Sequence, residues 1–396
     1  MPWKEKTVAM SREEFVTRAL AEEASLSALC REYGISRPTG YKWLGRHERE
    51  EGFRDQSRAP KTHPNKTPLK IEEWIVDYRK ERPAIGAVKI KRILETQKGV
   101  PLPCARTVNA ILKRNGLITT EASRAAAPLQ RFEKASPNEM WQADFKGHFT
   151  MKGGQRCHPL NILDDHSRFN LCADALNGET FEAVRPSMLR LFEAYGLPFS
   201  FLCDNGNPWG VNHITGYSRF EVWLMDLGIL TLHGRPRHPQ TQGKEERFNQ
   251  TMTKELLRHT EIENFPHAQK VFDAYRQFYN HERPHHALNL DVPAYHYQPS
   301  SRRLPEKIEA WEYPQGYHTR RVRNKGEISY RGESYYLSTA FRGKTIAIRP
   351  SYIPGCISLF YRQFRIGRID VDKKAFTLKR AYLIDGDPRL QNRTEV

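Results

Sequence analysis

HPQTQGKEERFNQTMTKEL, residues 238–256, sets a polar, Pro-containing loop directly before a glycine and a run with helical spacing. Gly243 opens that helix, Phe248 and Met252 fall on one face, and Glu246 stands in the first turn with Asn249, Gln250 and Thr253 on the polar face. Glu245 lies three residues before Phe248, on the apolar side. Upstream, WQADFKGHF (141–149) and FLCDNGNPWG (201–210) each carry an acid, Asp144 and Asp204, at the end of an apolar run. Asn205 and Gly206 form a turn pair that stops the strand just after Asp204. Three carboxylates, two at strand ends and one at a helix start, can converge where sheet meets helix.

Such a set suits hard divalent cations, Mg²⁺ or Mn²⁺, which take oxygen ligands from carboxylates and substrate phosphates and not from Cys or His. Two ions about 4 Å apart can activate an attacking oxygen and stabilise a leaving one, which is phosphodiester chemistry.

Charge agrees with a nucleic-acid partner. The chain of 396 residues has net charge +17 and pI near 9.6, a balance that favours a polyanion. It is unevenly spread, with +10 over 1–138, −3 over 139–301, +11 over 302–382 and −1 in the tail. A centre that concentrates acids for metal attracts DNA poorly, so the flanking arms should supply the phosphate contacts. No apolar leader and no run of about 18 apolar residues is present, which predicts a cytoplasmic, nucleoid-associated protein without a membrane partner. The six Cys show no CxxC pair, so neither a disulfide framework nor a zinc ribbon is expected.

The first arm reads as tandem helix-turn-helix units. In SLSALCREYGISRPTGYKWLGRHERE a helix near Leu26 to Tyr33 stops at Gly34, and a second starts with Ser36 as N-cap and Pro38 in its first turn. The second helix is expected to present Arg37, Thr39, Lys42 and Arg46 to a major groove, with Trp43 and Leu44 inward. A further unit has helices near 69–80, 87–96 and 105–115, with Arg106, Thr107 and Asn109 as DNA contacts. Residues 119–136 are Ala-rich and aperiodic and read as a linker.

The centre alternates strand and helix patterns, which predicts a mixed sheet with helices on its faces. After residue 318 short alternating runs are separated by Lys-Gly, Arg-Gly and Pro-Gly signals, as in a small closed barrel. Arg321, Arg323 and Lys325 are its candidate DNA contacts.

The set WQADF, DDHSR, DNG and HPQTQGKEERFNQ, together with REYGISRPTGYKW and YNHERPHHAL, resembles the insertion-sequence transposases with an integrase core, the DDE group similar to retroviral integrases. The resemblance extends over most of the chain and implies an RNase H-like fold with Asp144, Asp204 and Glu246 as the metal-binding triad. The family motif sets its Glu three residues after the Gly, which selects Glu246 over Glu245. Expected domains are a helix-turn-helix domain (1–60), a second one (61–118), a linker (119–136), the core (137–299), a linker (300–317), a barrel for DNA and assembly (318–385) and a tail (386–396). Asp164 and Asp165 read as structural, one capping a turn while Arg168 pairs with it. His238, Gln240, Thr241, Gln242, Lys244 and Arg247 flank the site as substrate contacts, and Asn249, Gln250 and Thr253, on the face shared with Glu246, are expected to point at DNA. The function implied is binding of terminal inverted repeats, 3′-end cleavage and strand transfer into target DNA by a dimer or tetramer assembled on DNA. A catalytically silent DNA-binding regulator derived from a transposase is the alternative.

Overall fold

The computed structural model describes residues 6–57, 66–118, 133–210, 216–234 and 243–383. Two units divide at Lys66 and Thr67.

The first unit contains α1 (Val8–Leu20), α2 (Leu26–Glu32) and α3 (Arg37–Glu48). Thr7 and Ser36 side chains accept the Met10 and Thr39 N–H groups, capping α1 and α3. Gly34 makes the intervening turn with φ +64°, a conformation that costs glycine nothing. Phe15, Val16, Leu29, Cys30 and Trp43 form the core. α3 approaches it at Gly40, where a Cβ would stand 2.8 Å from Cys30 Sγ. Helix α1, which the sequence reading did not pick out, supplies two of those five core residues.

The second unit begins with the three expected helices, α4 (Leu69–Glu81), α5 (Ala87–Lys98) and α6 (Ala105–Arg114). A sheet then runs in the order β4-β3-β1-β5-β6. Strands β1 (Met140–Phe145), β3 (Arg156–Asp164) and β4 (Asn170–Leu176) are antiparallel neighbours. β5 (Ser200–Cys203) and β6 (Leu230–His233) join parallel to β1, and the two-residue β2 (Phe149–Thr150) pairs with the start of β3. This is the RNase H-like core. Its central strand is covered on both faces, which is why Met140 to Ala143 are all buried although strand side chains alternate.

One face packs on α7 (Phe181–Tyr195) and α8 (Arg219–Asp226), with Trp141, Ile162, Phe192, Phe201, Trp209 and Phe220 in the core. The other packs on α9 (Gly243–Met252), the π-helical turn Thr253–Leu257 that continues it, and α10 (Phe265–His281). There Leu163, Phe248, Met252 and Phe272 share one apolar cluster with Ile75, Ile90 and Ile111 of α4, α5 and α6.

The C-terminal region is sheet-rich. β7 (His318–Arg321), β10 (Thr345–Pro350), β11 (Cys356–Tyr361), β12 (Phe364–Asp370) and β13 (Ala375–Leu383) form one antiparallel sheet in the order β13-β12-β11-β10-β7, beside the hairpin β8 (Glu327–Tyr330) and β9 (Glu333–Tyr336). Among the described residues no ladder joins β7 to β13, so the strands expected to close a barrel form an open order plus a hairpin. Its core, including Phe341, Ile346, Leu359 and Phe364, is continuous with Tyr217, Val222, Met225 and Leu230 around α8 and β6. Asp226 at the end of α8 accepts from Lys344 Nζ at 2.6 Å and from the Tyr361 hydroxyl, and Arg362 Nε lies 3.4 Å away. No helix among the described residues is long and apolar enough to cross a membrane.

Candidate active site

Parallel pairing of β1 with β5 sets Gln142 beside Leu202. Beyond that pair β1 runs on through Asp144, while β5 ends at Cys203 with Asp204 directly after it, so the two aspartates stand at the same end of neighbouring parallel strands. Asp204 is held by the turn that follows it, its Oδ1 accepting the Gly206 N–H at 2.9 Å. Its carbonyl meets His233 Nδ1 at 2.7 Å, and His233 Nε2 is 3.0 Å from Glu221 Oε1. Glu221 closes the capping box of α8 with Ser218. Sequence alone leaves His233 open between a substrate contact and a packing residue and does not pick out Glu221, yet the S-R-F-E pattern is a capping signature that marks α8.

The Asp144 carboxyl is pushed up to about 7, first by burial, then by the negative charges of Asp204, Glu246 and Glu179, with the Phe145 N–H pulling the other way. The two aspartates and Glu246 are therefore electrostatic neighbours. Among the described residues none of the three has a cationic partner. Nor do any three His, Cys, Asp or Glu side chains gather closely enough there to enclose an ion. Glu179, which also faces His158 Nδ1 at 2.8 Å, is a fourth acid that the sequence reading missed.

Helix α9 is fastened at its start, middle and end. Lys244 Nζ reaches Asp165 Oδ1 at 2.5 Å and the Asp165 carbonyl at 2.9 Å, and burial draws its pKa down to about 8. Asn249 Nδ2 donates to Asp144 Oδ2 at 2.9 Å, and Asn161 Nδ2 donates to Asn249 Oδ1 at 2.7 Å. Within the π-turn that continues it, Glu255 accepts Arg283 Nε at 2.8 Å and Nη2 at 2.7 Å. Glu246 is exposed, whereas Glu245 is fully buried, with both carboxylate oxygens lacking a hydrogen-bond partner among the described residues. Burial raises its pKa well above the usual range.

Asp164 caps its turn, accepting the Ser167 N–H at 2.8 Å and hydroxyl at 2.7 Å. Asp165 pairs with Lys244, and Arg168, expected to pair with an aspartate carboxylate, instead pairs with Glu133 at 3.1 Å and donates to the Asp165 and His166 carbonyls. Lys244 therefore binds the β3–β4 turn where a DNA contact was expected. Arg46 also departs from expectation. It is 5% exposed, lies 4.8 Å from the Trp43 ring centroid and donates to the Glu51 and Arg54 carbonyls, because the chain leaving α3 folds back over that face.

Arg37 and Lys42 are exposed on α3 and Thr39 is half-buried; Arg106 and Asn109 are exposed on α6 and Thr107 half-buried. Arg247, Gln250, Arg321, Arg323 and Lys325 are exposed, while Thr253 is half-buried and donates its hydroxyl to the Asn249 carbonyl. His238, Gln240, Thr241 and Gln242 lie outside the described residues.

Comparison with known proteins places the same regions in families. The integrase core domain matches residues 134–239 and again 227–293. A helix-turn-helix domain matches 11–61, and the C-terminal domain of the IS481 family transposases matches 317–377. A protein of insertion element IS407 from Burkholderia multivorans, itself uncharacterised, is 23% identical over 56% of this chain and 78% of its own length. The transposase assigned to insertion sequence element IS5376 of Geobacillus stearothermophilus is 24% identical over 61% of each chain. The HTLV-2 integrase catalytic core, solved with magnesium, aligns with a TM-score of 0.32 at 15% identity, covering 41% of this chain and 99% of that one. The chain belongs to the insertion-sequence transposases built on an integrase core.

Proposed function

We propose that this protein is a DNA transposase that binds the terminal inverted repeats of its element, cleaves the 3′ ends and transfers them to target DNA, using Asp144, Asp204 and Glu246 as metal ligands. One observation carries the reading: the Asp144 carboxyl is raised to about 7 first by its burial and then by the negative charges of Asp204, Glu246 and Glu179, hard oxygen donors of which the first two, like Asp144, have no cationic partner among the described residues. Like charges brought together in a half-buried place are stable only when a cation or protons offset them, so the donor set fits Mg²⁺ or Mn²⁺. Two such ions, when bound, supply Lewis acidity to the attacking and leaving oxygens of the phosphodiester.

The chain's own residues do the rest. Asp144 near the end of β1 and Asp204 just after β5 would supply two of the ligands, and Glu246, on the α9 face it shares with Gln250, the third; the effect of Asp204 and Glu246 on the Asp144 carboxyl supports this grouping. Arg247, exposed next to Glu246, is placed to hold a phosphate of the bound end. Arg37, Thr39 and Lys42 on α3, with Arg106, Thr107 and Asn109 on α6, supply end recognition, and Arg321, Arg323 and Lys325 supply backbone contacts. Each of two ends needs an active site, so a dimer or tetramer on DNA is part of the proposal.

Asp144→Asn, Asp204→Asn or Glu246→Gln should abolish cleavage and strand transfer on a labelled end fragment with Mg²⁺ while leaving end binding near the parent level. Glu245→Gln should stay active, since the amide mimics the neutral acid that burial favours. An Asp204→Asn protein with full activity would overturn the site, and wild-type protein that binds ends without cutting them would mark a DNA-binding regulator.

A further inference from the structure

Asn249 shares the polar face of α9 with Glu246, where sequence alone predicts a DNA contact. The structure gives its amide other work. Its Nδ2 donates to Asp144 Oδ2, and its Oδ1 accepts from Asn161 Nδ2, so both ends of one side chain are engaged inside the protein. Asn161 stands directly across from Asp144 in the β1–β3 ladder. It is fully buried, and its Nδ2 also lies 3.8 Å from Met252 Sδ, one turn along α9. The chain Asn161 to Asn249 to Asp144 therefore links the central sheet, the helix that carries Glu246 and the aspartate on β1 through directional hydrogen bonds.

We infer that Asn249, oriented by Asn161, is a positioning residue that holds the Asp144 carboxylate in the ion-binding geometry and fixes the spacing between β1 and α9. The inference rests on the metal-triad reading above. The bond from Asn249 Nδ2 to Asp144 Oδ2, at 2.9 Å, is directional and fixes which way that carboxyl group faces. Asn161 Oδ1 has no hydrogen-bond partner among the described residues. Its amide is thus kept in a buried place for what its donor side does. Outer-sphere partners of this kind typically change metal affinity by about 10–100-fold when removed.

The test uses full-length protein and Mn²⁺ titration followed by the EPR signal of the free ion, which needs no turnover. Asn249→Ala should weaken Mn²⁺ binding by about 10-fold or more, with end-fragment binding in EDTA unchanged and the melting temperature within a few degrees of the parent. Asn161→Ala, which leaves the Asn249 amide in place but frees it to rotate, should weaken Mn²⁺ binding in the same direction by less. Asn249→Gln, which keeps the amide on a longer arm, should recover part of the loss. Equal Mn²⁺ binding by parent and Asn249→Ala overturns the inference, and so does a variant that loses DNA binding in EDTA while keeping Mn²⁺. A parent that takes up no Mn²⁺ overturns the triad reading together with this inference.

Discussion

Glu255 and Arg283 form the contact on which the far end of α9 depends, and a double-mutant cycle measures it. The pair is bidentate, at 2.7 and 2.8 Å, and the two side chains are 10% and 8% exposed. Each hydrogen bond to a charged partner is worth about 1.5–3 kcal/mol net, so losing both costs about 3–6 kcal/mol. Removing one member of a buried pair costs about 3–5 kcal/mol, because the other charge stays buried. The two figures agree. Glu255→Gln and Arg283→Met should each cost about 3 kcal/mol or more, whereas the double variant buries no charge and should be less destabilised than the sum by about 3 kcal/mol. Native-state hydrogen exchange of the α9 and α10 amides is the assay, since it reads the local opening free energy without assuming that both units unfold together. Glu255→Gln should also slow end cleavage, because Glu246 lies on the same helix. Single variants costing under about 1 kcal/mol, with a double equal to their sum, would show that the pair holds nothing.

His285 is buried against Arg283, and burial first, then the charges of Arg283, Lys89 and Arg168, brings its pKa down to about 2. The unfolded chain then holds the proton between about 2 and 6.5 and the folded one does not. Its contribution is thus complete above pH 6.5 and lost as pH falls, by about 1.4 kcal/mol per unit. Chemical denaturation of His285→Gln between pH 4 and 6 should show a shallower slope; equal slopes would exclude the residue as the cause. A chain ending at Ser301 uncovers Tyr217, Val222, Met225 and Leu230, which at about 1.5–3 kcal/mol each is comparable to the whole stability of a domain. It should bind a hydrophobic dye and lose near-ultraviolet circular dichroism, and a fragment with native signals would refute the shared core. In the first unit, Lys42→Glu should weaken end binding with little change in melting temperature, while Arg46→Met should alter stability more than the salt dependence of binding. The reverse pattern would restore Arg46 as a DNA contact.

What was legible in the sequence was local. Ser36 with Pro38, Gly34 and the Asp204-Asn205-Gly206 turn act through their own backbone neighbours, so α3, the helix turn and the end of β5 were found where they are. The polar face of α9 was legible for the same reason, and Glu245 fell on its buried side. What escaped depends on distant partners. Lys244 finds Asp165 in the β3–β4 turn, Arg46 finds carbonyls eight residues or fewer ahead in a loop with no periodic signal, and Arg168 finds Glu133 across the sheet's start. A basic side chain beside an acidic site looks the same in sequence whether it serves DNA or the fold. The C-terminal strands were visible as alternating runs, but closure depends on which strands pair, and alternation does not encode that.

The apolar cluster shared by α4, α5, α6, α9 and α10 limits how this transposase can be re-engineered. Residues 6–57 have a core of their own, so α3 could be exchanged for another helix by a graft within that unit. Residues 69–114 could not be traded so freely, because Ile75, Ile90 and Ile111 abut the layer that carries α9. A chimera joined at residue 118 would bring two unmatched surfaces together behind Glu246, and its defect would surface as lost cutting while the grafted helices still bound their DNA.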